Sequence, residues 1–168
     1  MRYAPVALAL SLVVAVSSSV LHSAPAEVLD ERAAALLAQG RADLAAGRSQ
    51  PAIDAFEAAL TVQPGSVQIL NDLAAANRRV GLQGKAIHYY REALSIDARN
   101  LSAIAGEGAA LAEKGATEKA NRNLARLKTL CGGDCAEARQ LASAIARGPA
   151  PKVVSAEAVT PKPVVSEN

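Results

Sequence analysis

Few residues in this chain have the types and spacing that chemistry needs. Beyond residue 26 there is one histidine, His88, and one cysteine motif, Cys131-Gly132-Gly133-Asp134-Cys135. Two thiols are half a zinc site, and no histidine lies near them in sequence to complete it. The spacing is neither the C-x-x-C-H of haem attachment nor the C-x-x-C of thioredoxin-like redox sites. In an oxidising compartment the natural outcome is a disulfide, with the two glycines giving the loop freedom to close. A free thiol pair and a redox role stay open beside it. The chain-entropy treatment credits so short a loop with only about 2 kcal/mol. Its expected task is to hold a following helix against the segment before it.

His88 has no serine or cysteine partner in a recognisable motif. No H-E-x-x-H, phosphate-binding glycine loop or flavin fingerprint occurs. The carboxylates are scattered at helical surface spacing, where they normally sit as solvated charges beside Lys and Arg. The expectation is a non-enzymatic chain with no cofactor and no metal.

The elements that must position these residues follow from a repeat. Gly40, Ala74 and Gly108 lie 34 residues apart, as do Gly47, Gly81 and Gly115. Ala52, Ala86 and Ala120 keep the same phase, and so do Phe56, Tyr90 and Leu124. Each column fits a helix-turn-helix unit. The small residue of the first column lets a second helix approach, and the glycine seven positions on ends the first helix in a left-handed conformation. Ala52, Phe56 and Ala59, then Ala86, Tyr90 and Ala93, form one face of a 3.6-residue period. Pro64 and Gly65 close the first unit, and Ser66 and Asn100 are the expected N-caps of the helices that follow.

This pattern resembles the tetratricopeptide repeat (TPR) family, whose period is also 34. Ala86-Ile87-His88-Tyr89-Tyr90-Arg91-Glu92-Ala93-Leu94 carries the resemblance best, and Ala52-Ile53-Asp54-Ala55-Phe56-Glu57-Ala58-Ala59-Leu60 with Pro64 nearly as well. The third copy is worn: Leu124 and Leu127 keep the apolar stripe, but Lys128 and Gly132 replace the expected leucine and proline. The resemblance implies an all-α, right-handed solenoid of three repeats, at about residues 33–66, 67–100 and 101–134. A C-terminal capping helix at 134–147 should follow, opened by an Asp134–Glu137 capping box, with Ala138, Leu141, Ala142 and Ile145 on its buried face. The domain so defined runs from 27 to 147.

Family members receive a peptide or a partner's helix in a concave groove lined by the first helices. Helical phasing places Ala34, Leu37 and Arg41 there from the first unit. The second supplies Gln68, Asn71, Ala75, Arg78 and Arg79, and the third Ser102, Ala105, Ala109 and Glu113. Arg41, Gln68, Asn71, Arg78, Arg79, Ser102 and Glu113 are the polar candidates for partner contact. The Lys/Asn/Arg set with which chaperone-binding members hold a terminal carboxylate is not reproduced, since Leu37, Asn71 and Ala105 stand at the corresponding places. Asn71 with Arg78 remains a candidate grip for a backbone or carboxylate.

Both ends stand apart from the repeats. Residues 1–26 read as a secretory signal: Arg2, an apolar run from Val6 to Val16 broken only by Ser11, and Ala24-Pro25-Ala26 at the cleavage positions. The competing reading is an uncleaved membrane anchor from about Ala4 to Leu21. The Ala-rich composition and the style of signal point to a bacterial periplasm. Residues 148–168 carry Pro149, Pro151, Pro161 and Pro163 and too little apolar bulk for a core, so a disordered Pro/Val-rich tail is expected. Its loosely repeated Pro-Lys-(Pro)-Val-Val-Ser segments could alternatively add as a strand to a partner's sheet edge.

Without residues 1–26 the chain has 17 Lys+Arg against 16 Asp+Glu. So neutral a balance is no footprint for nucleic acid. The expected role is therefore a periplasmic adaptor or scaffold for a protein or peptide partner, with no nucleic acid and no stable membrane insertion after cleavage. The alternative is a structural, self-associating accessory of envelope assembly, a homo-oligomer built through the Ala-rich face.

Overall fold

The computed structural model describes residues 27–149. The expected signal, residues 1–26, and the tail from residue 150 onward lie outside them. The described residues form seven helices: α1 (Glu31–Ala45), α2 (Ser49–Val62), α3 (Val67–Arg79), α4 (Gln83–Ile96), α5 (Leu101–Glu113), α6 (Thr117–Cys131) and α7 (Ala136–Arg147). They pair antiparallel as α1–α2, α3–α4 and α5–α6. Each first helix also packs on its predecessor's first helix, and the whole is the right-handed α-solenoid that the repeat implies.

Two different devices start the helices, and both repeat with the sequence. The first helix of each pair has a side-chain cap. Asp30 accepts from the amides of Arg32 and Ala33, Ser66 from Ile69 and Asn100 from Ala103. The second helices, α2, α4 and α6, have no side-chain cap. They are launched instead by the turn that ends the helix before. Gly47, Gly81 and Gly115 take φ of 77°, 81° and 84°. Just after each glycine, the amides of Arg48, Leu82 and Ala116 reach back to the carbonyls of Asp43, Asn77 and Leu111 at 2.8, 2.9 and 2.8 Å. That six-to-one bond closes the helix end and needs a left-handed residue, which is why glycine recurs there.

The core runs along the interfaces as three contiguous clusters, centred on Phe56, on Tyr90 and on Leu141 with Leu127. The small column works by direct contact. A Cβ on Gly40 would overlap the Phe56 ring, and one on Gly108 would lie 2.6 Å from Leu141 and 3.2 Å from Asn123. In the third repeat α5 is well buried but α6 is thin, with only Ala120 and Leu127 buried. Polar ties reinforce it. Glu107, nearly buried, accepts from Arg91 Nε at 2.8 Å and from Asn123 Nδ2 at 2.9 Å, joining α4, α5 and α6. Asp43 is held in the same way by Arg48.

The last helix departs from the sequence expectation. It begins at Ala136, not 134, and its N-cap is Cys135, which makes no side-chain cap bond. The capping box does not form. Cys135 is bonded to Cys131 at the end of α6, their Cα atoms 6.0 Å apart, and so occupies the cap position itself. Asp134, left outside the helix, pairs with Arg139 at 2.8 Å. The buried face is also shifted: Ala138, Leu141 and Ala144 are buried and Ile145 partly so, while Ala142 faces solvent. The reason is that α7 lies against both α5 and α6, and Ala144, not Ala142, lies on that side.

Candidate functional site

The first helices and α7 present a common inner face. On it lies a groove of about 680 Å³ between the end of α3, the length of α5 and α7. Ser102, Ala105, Gly106 and Ala109 of α5 form one wall. Ala136, Gln140, Ser143, Ala144 and Arg147 of α7 form the other, and Arg78 and Tyr90 lie at the floor. The α7 helix thus takes the place that the first helix of a fourth repeat would fill. A second hollow of about 460 Å³ lies between the start of α4 and the α5–α6 turn, beside Arg91, Lys114 and Lys119.

Tyr90 is set in the floor by its neighbours. Its ring packs against Gly106, where any Cβ would overlap it, and the residue is 4% exposed. Burial pushes its hydroxyl up to about 12. Nearby Arg78 works against that shift, and Asp72 and Glu113 add to it. Burial likewise raises Tyr89 above the ordinary tyrosine value, with Glu57 and Glu92 contributing.

The polar residues expected in the groove are mostly engaged with each other. Arg41 Nε meets Asp72 at 2.6 Å, and its guanidinium lies 2.8 Å from Gln68 when that carboxamide turns its oxygen toward it. Arg78 lies 3.6 Å from Glu113, whose second oxygen is buried without a partner. Asn71 donates to Asn100 at 3.1 Å, and its own carbonyl oxygen is also unpartnered. Ser102 stands exposed on the groove wall, but Arg79 turns to the rim and donates to the Leu44 carbonyl at 3.2 Å, at the end of α1. Leu37 is not in the groove; at 2% exposure it belongs to the core of the first repeat. Arg78 and Ser102 thus meet in one cavity with Ala105 and Ala109, whereas Arg41, Gln68 and Asn71 lie outside its lining.

Sequence reasoning missed Tyr90 as a floor residue and α7 as a wall. The available signal was Gly106, a glycine in α5 that belongs to no 34-residue column. His88 is exposed, 3.9 Å from Glu92 and edge-on to Tyr89. Among the described residues no cluster of His, Cys, Asp and Glu is arranged to hold a metal, and no helix is long and apolar enough to cross a membrane.

Seven antiparallel helices with 34-residue turns and a concave inner face define a TPR protein. By sequence the chain belongs to the bacterial transcriptional activator domain family, a TPR-like bacterial domain whose family model matches residues 9–113. No curated protein matches the sequence. Among solved structures it is similar to the Sgt2 TPR domain from Aspergillus fumigatus, at 24% identity and a TM-score of 0.64, over 77% of this chain and 93% of that one. It is similar also to the first TPR of Spaghetti (RPAP3) bound to the HSP90 peptide SRMEEVD, at 22% identity and 0.62, over 70% and 97%. The second TPR domain of human RPAP3 in complex with the HSP70 peptide SGPTIEEVD matches at 16% and 0.62, over 69% and 93%. At these identities the likeness is one of fold.

Proposed function

We propose that this protein is a non-enzymatic interaction module whose concave groove takes a peptide segment or helix of a protein partner. The observation that carries the reading is the groove between α3, α5 and α7, open, 680 Å³ in volume, walled by small residues on α5 and by mixed polar and small residues on α7 over a buried tyrosine. The alanine, glycine and serine wall of α5 lets a backbone or a helix come close, and aromatic bulk for anchoring then has to come from the ligand. Similar folds that hold chaperone peptides support it. The signal-like residues 1–26 and the cysteine pair support a periplasmic setting, and with it the role of adaptor or scaffold for an envelope protein. Selection from a phage-displayed peptide library against the full chain tests the groove. Enriched peptides should lose binding to Ser143→Arg, which fills the groove from an exposed position, and to Arg78→Ala, which removes the guanidinium at its floor. Peptides that bind all three proteins equally would remove the groove as the site. Fractionation of cells expressing the full chain, with and without residues 1–26, tests the location.

A further inference from the structure

The wall of the groove depends on a bond that a dithiol can break. Helix α7 supplies Gln140, Ser143, Ala144 and Arg147 to the groove, and its backbone packs on α5 and α6 alone. It has 12 residues, too few for a helix to persist alone in water. It buries Ala138, Leu141 and Ala144, of which only leucine brings bulk. Unlike α1, α3 and α5, it starts without a side-chain cap, and the link before it holds Gly132 and Gly133 at φ of 79° and 100° with nothing packed near them. The one covalent tie across this link is Cys131–Cys135, which joins the last residue of α6 to the N-cap of α7.

We propose that this disulfide is a redox clasp: oxidised, it holds α7 as the groove wall; reduced, it lets α7 come away and the groove lose its ligand. The clasp rests on the reading of the groove as the binding site. A thiolate of a dithiol attacks one protein sulfur, giving a mixed disulfide and releasing the other cysteine as a thiolate that takes a proton. The second thiol of the reductant then displaces the remaining cysteine. The protein gains two electrons and two protons, and the reductant leaves as its own disulfide. Both cysteines are partly exposed and the loop between them is open, so a small dithiol has access. The backbone of α7 lies against α5 and α6, so the α1–α4 half, which meets it only at Ile145 and across the groove, should change little on the exchange.

Amide hydrogen exchange on the full chain reads the clasp without any ligand. The three samples are the oxidised protein, the protein in dithiothreitol and the Cys131→Ser/Cys135→Ser variant. Exchange across Ala138–Arg147 should be roughly 30-fold faster in the second and third, as release of the short-loop constraint implies, with α1–α4 unchanged and protection restored on reoxidation. Equal protection of α7 in all three samples overturns the clasp. So does an equal loss along the whole chain, which would make the bond a general staple. A peptide selected against the oxidised protein should bind the reduced form more weakly by the factor by which the closed fraction of α7 falls, and undiminished binding overturns control of the groove. Failure to select any peptide with the oxidised protein counts against the groove reading instead, and the exchange data still decide the clasp.

Discussion

At the scale of single residues, Tyr90 shows how one side chain serves both core and site. Its ring fills the interface between α4 and α5, and its edge is the floor of the groove. Gly106 makes this possible, since a methyl group there would overlap the ring. Gly106→Ala should cost about 1–3 kcal/mol, the usual penalty of overpacking, seen as a fall in Tm. The hydroxyl gives a second test. Its value in the folded chain, about 12, is above the ordinary 10.0, so the neutral form is favoured by folding. That stability is complete below pH 10 and is lost as pH rises from about 10 to 12. Tyr90→Phe keeps the ring and removes the titration, so its urea midpoint should fall less than that of the parent across that window. Equal slopes in the two proteins would mean that another group controls the alkaline loss. The role of Tyr90 was hidden in the sequence because the contact crosses between repeats. Tyr90 sits in a regular column, but Gly106, which receives it, does not.

At the scale of elements, the 34-residue columns had already placed the turns and caps. Gly47, Gly81 and Gly115 are left-handed in turn, and Ser66 and Asn100 cap as their types and positions imply. These features are local, and sequence reports local physics well. The start of α7 failed because a non-local bond prevailed over a local motif: Cys135, tied to Cys131, took the cap position that Asp134 was suited to fill. The contrast is measurable. Asn100→Ala removes a true cap and also the partner of Asn71, and should cost about 1 kcal/mol or somewhat more. Asp134→Ala removes only an exposed ion pair with Arg139 and should change stability by less than about 0.5 kcal/mol. Chemical denaturation of the two variants checks both. A loss at Asp134 as large as at Asn100 would restore the capping box.

At the scale of the whole molecule, three repeats are about the least that a solenoid can hold together, because each pair relies on neighbours to cover its apolar face. Here α6, the second helix of the last pair, is the least buried of the six paired helices. It buries only Ala120 and Leu127, and α7 covers the rest of the last cluster, with Leu141 seated over Gly108 and packed with Ile104, Ala105, Ala109 and Leu127. Ending the chain at residue 130 removes α7 and the disulfide together. If α7 were only an appendage, circular dichroism would lose about the signal of the 12 residues removed. The burial pattern implies more: with Ile104 and Leu127 exposed, α6 and the groove side of α5 should fray as well. The α1–α4 half keeps the cluster around Phe56 whole but shares the one around Tyr90 with α5 and α6, so it should then melt separately at lower temperature. Light scattering on the same truncation adds a check on association, because the uncovered alanine and leucine surface is what a second copy would bury. A truncated chain that stays monomeric, melts in one step and loses only the helicity of α7 would show that the third repeat stands without its cap.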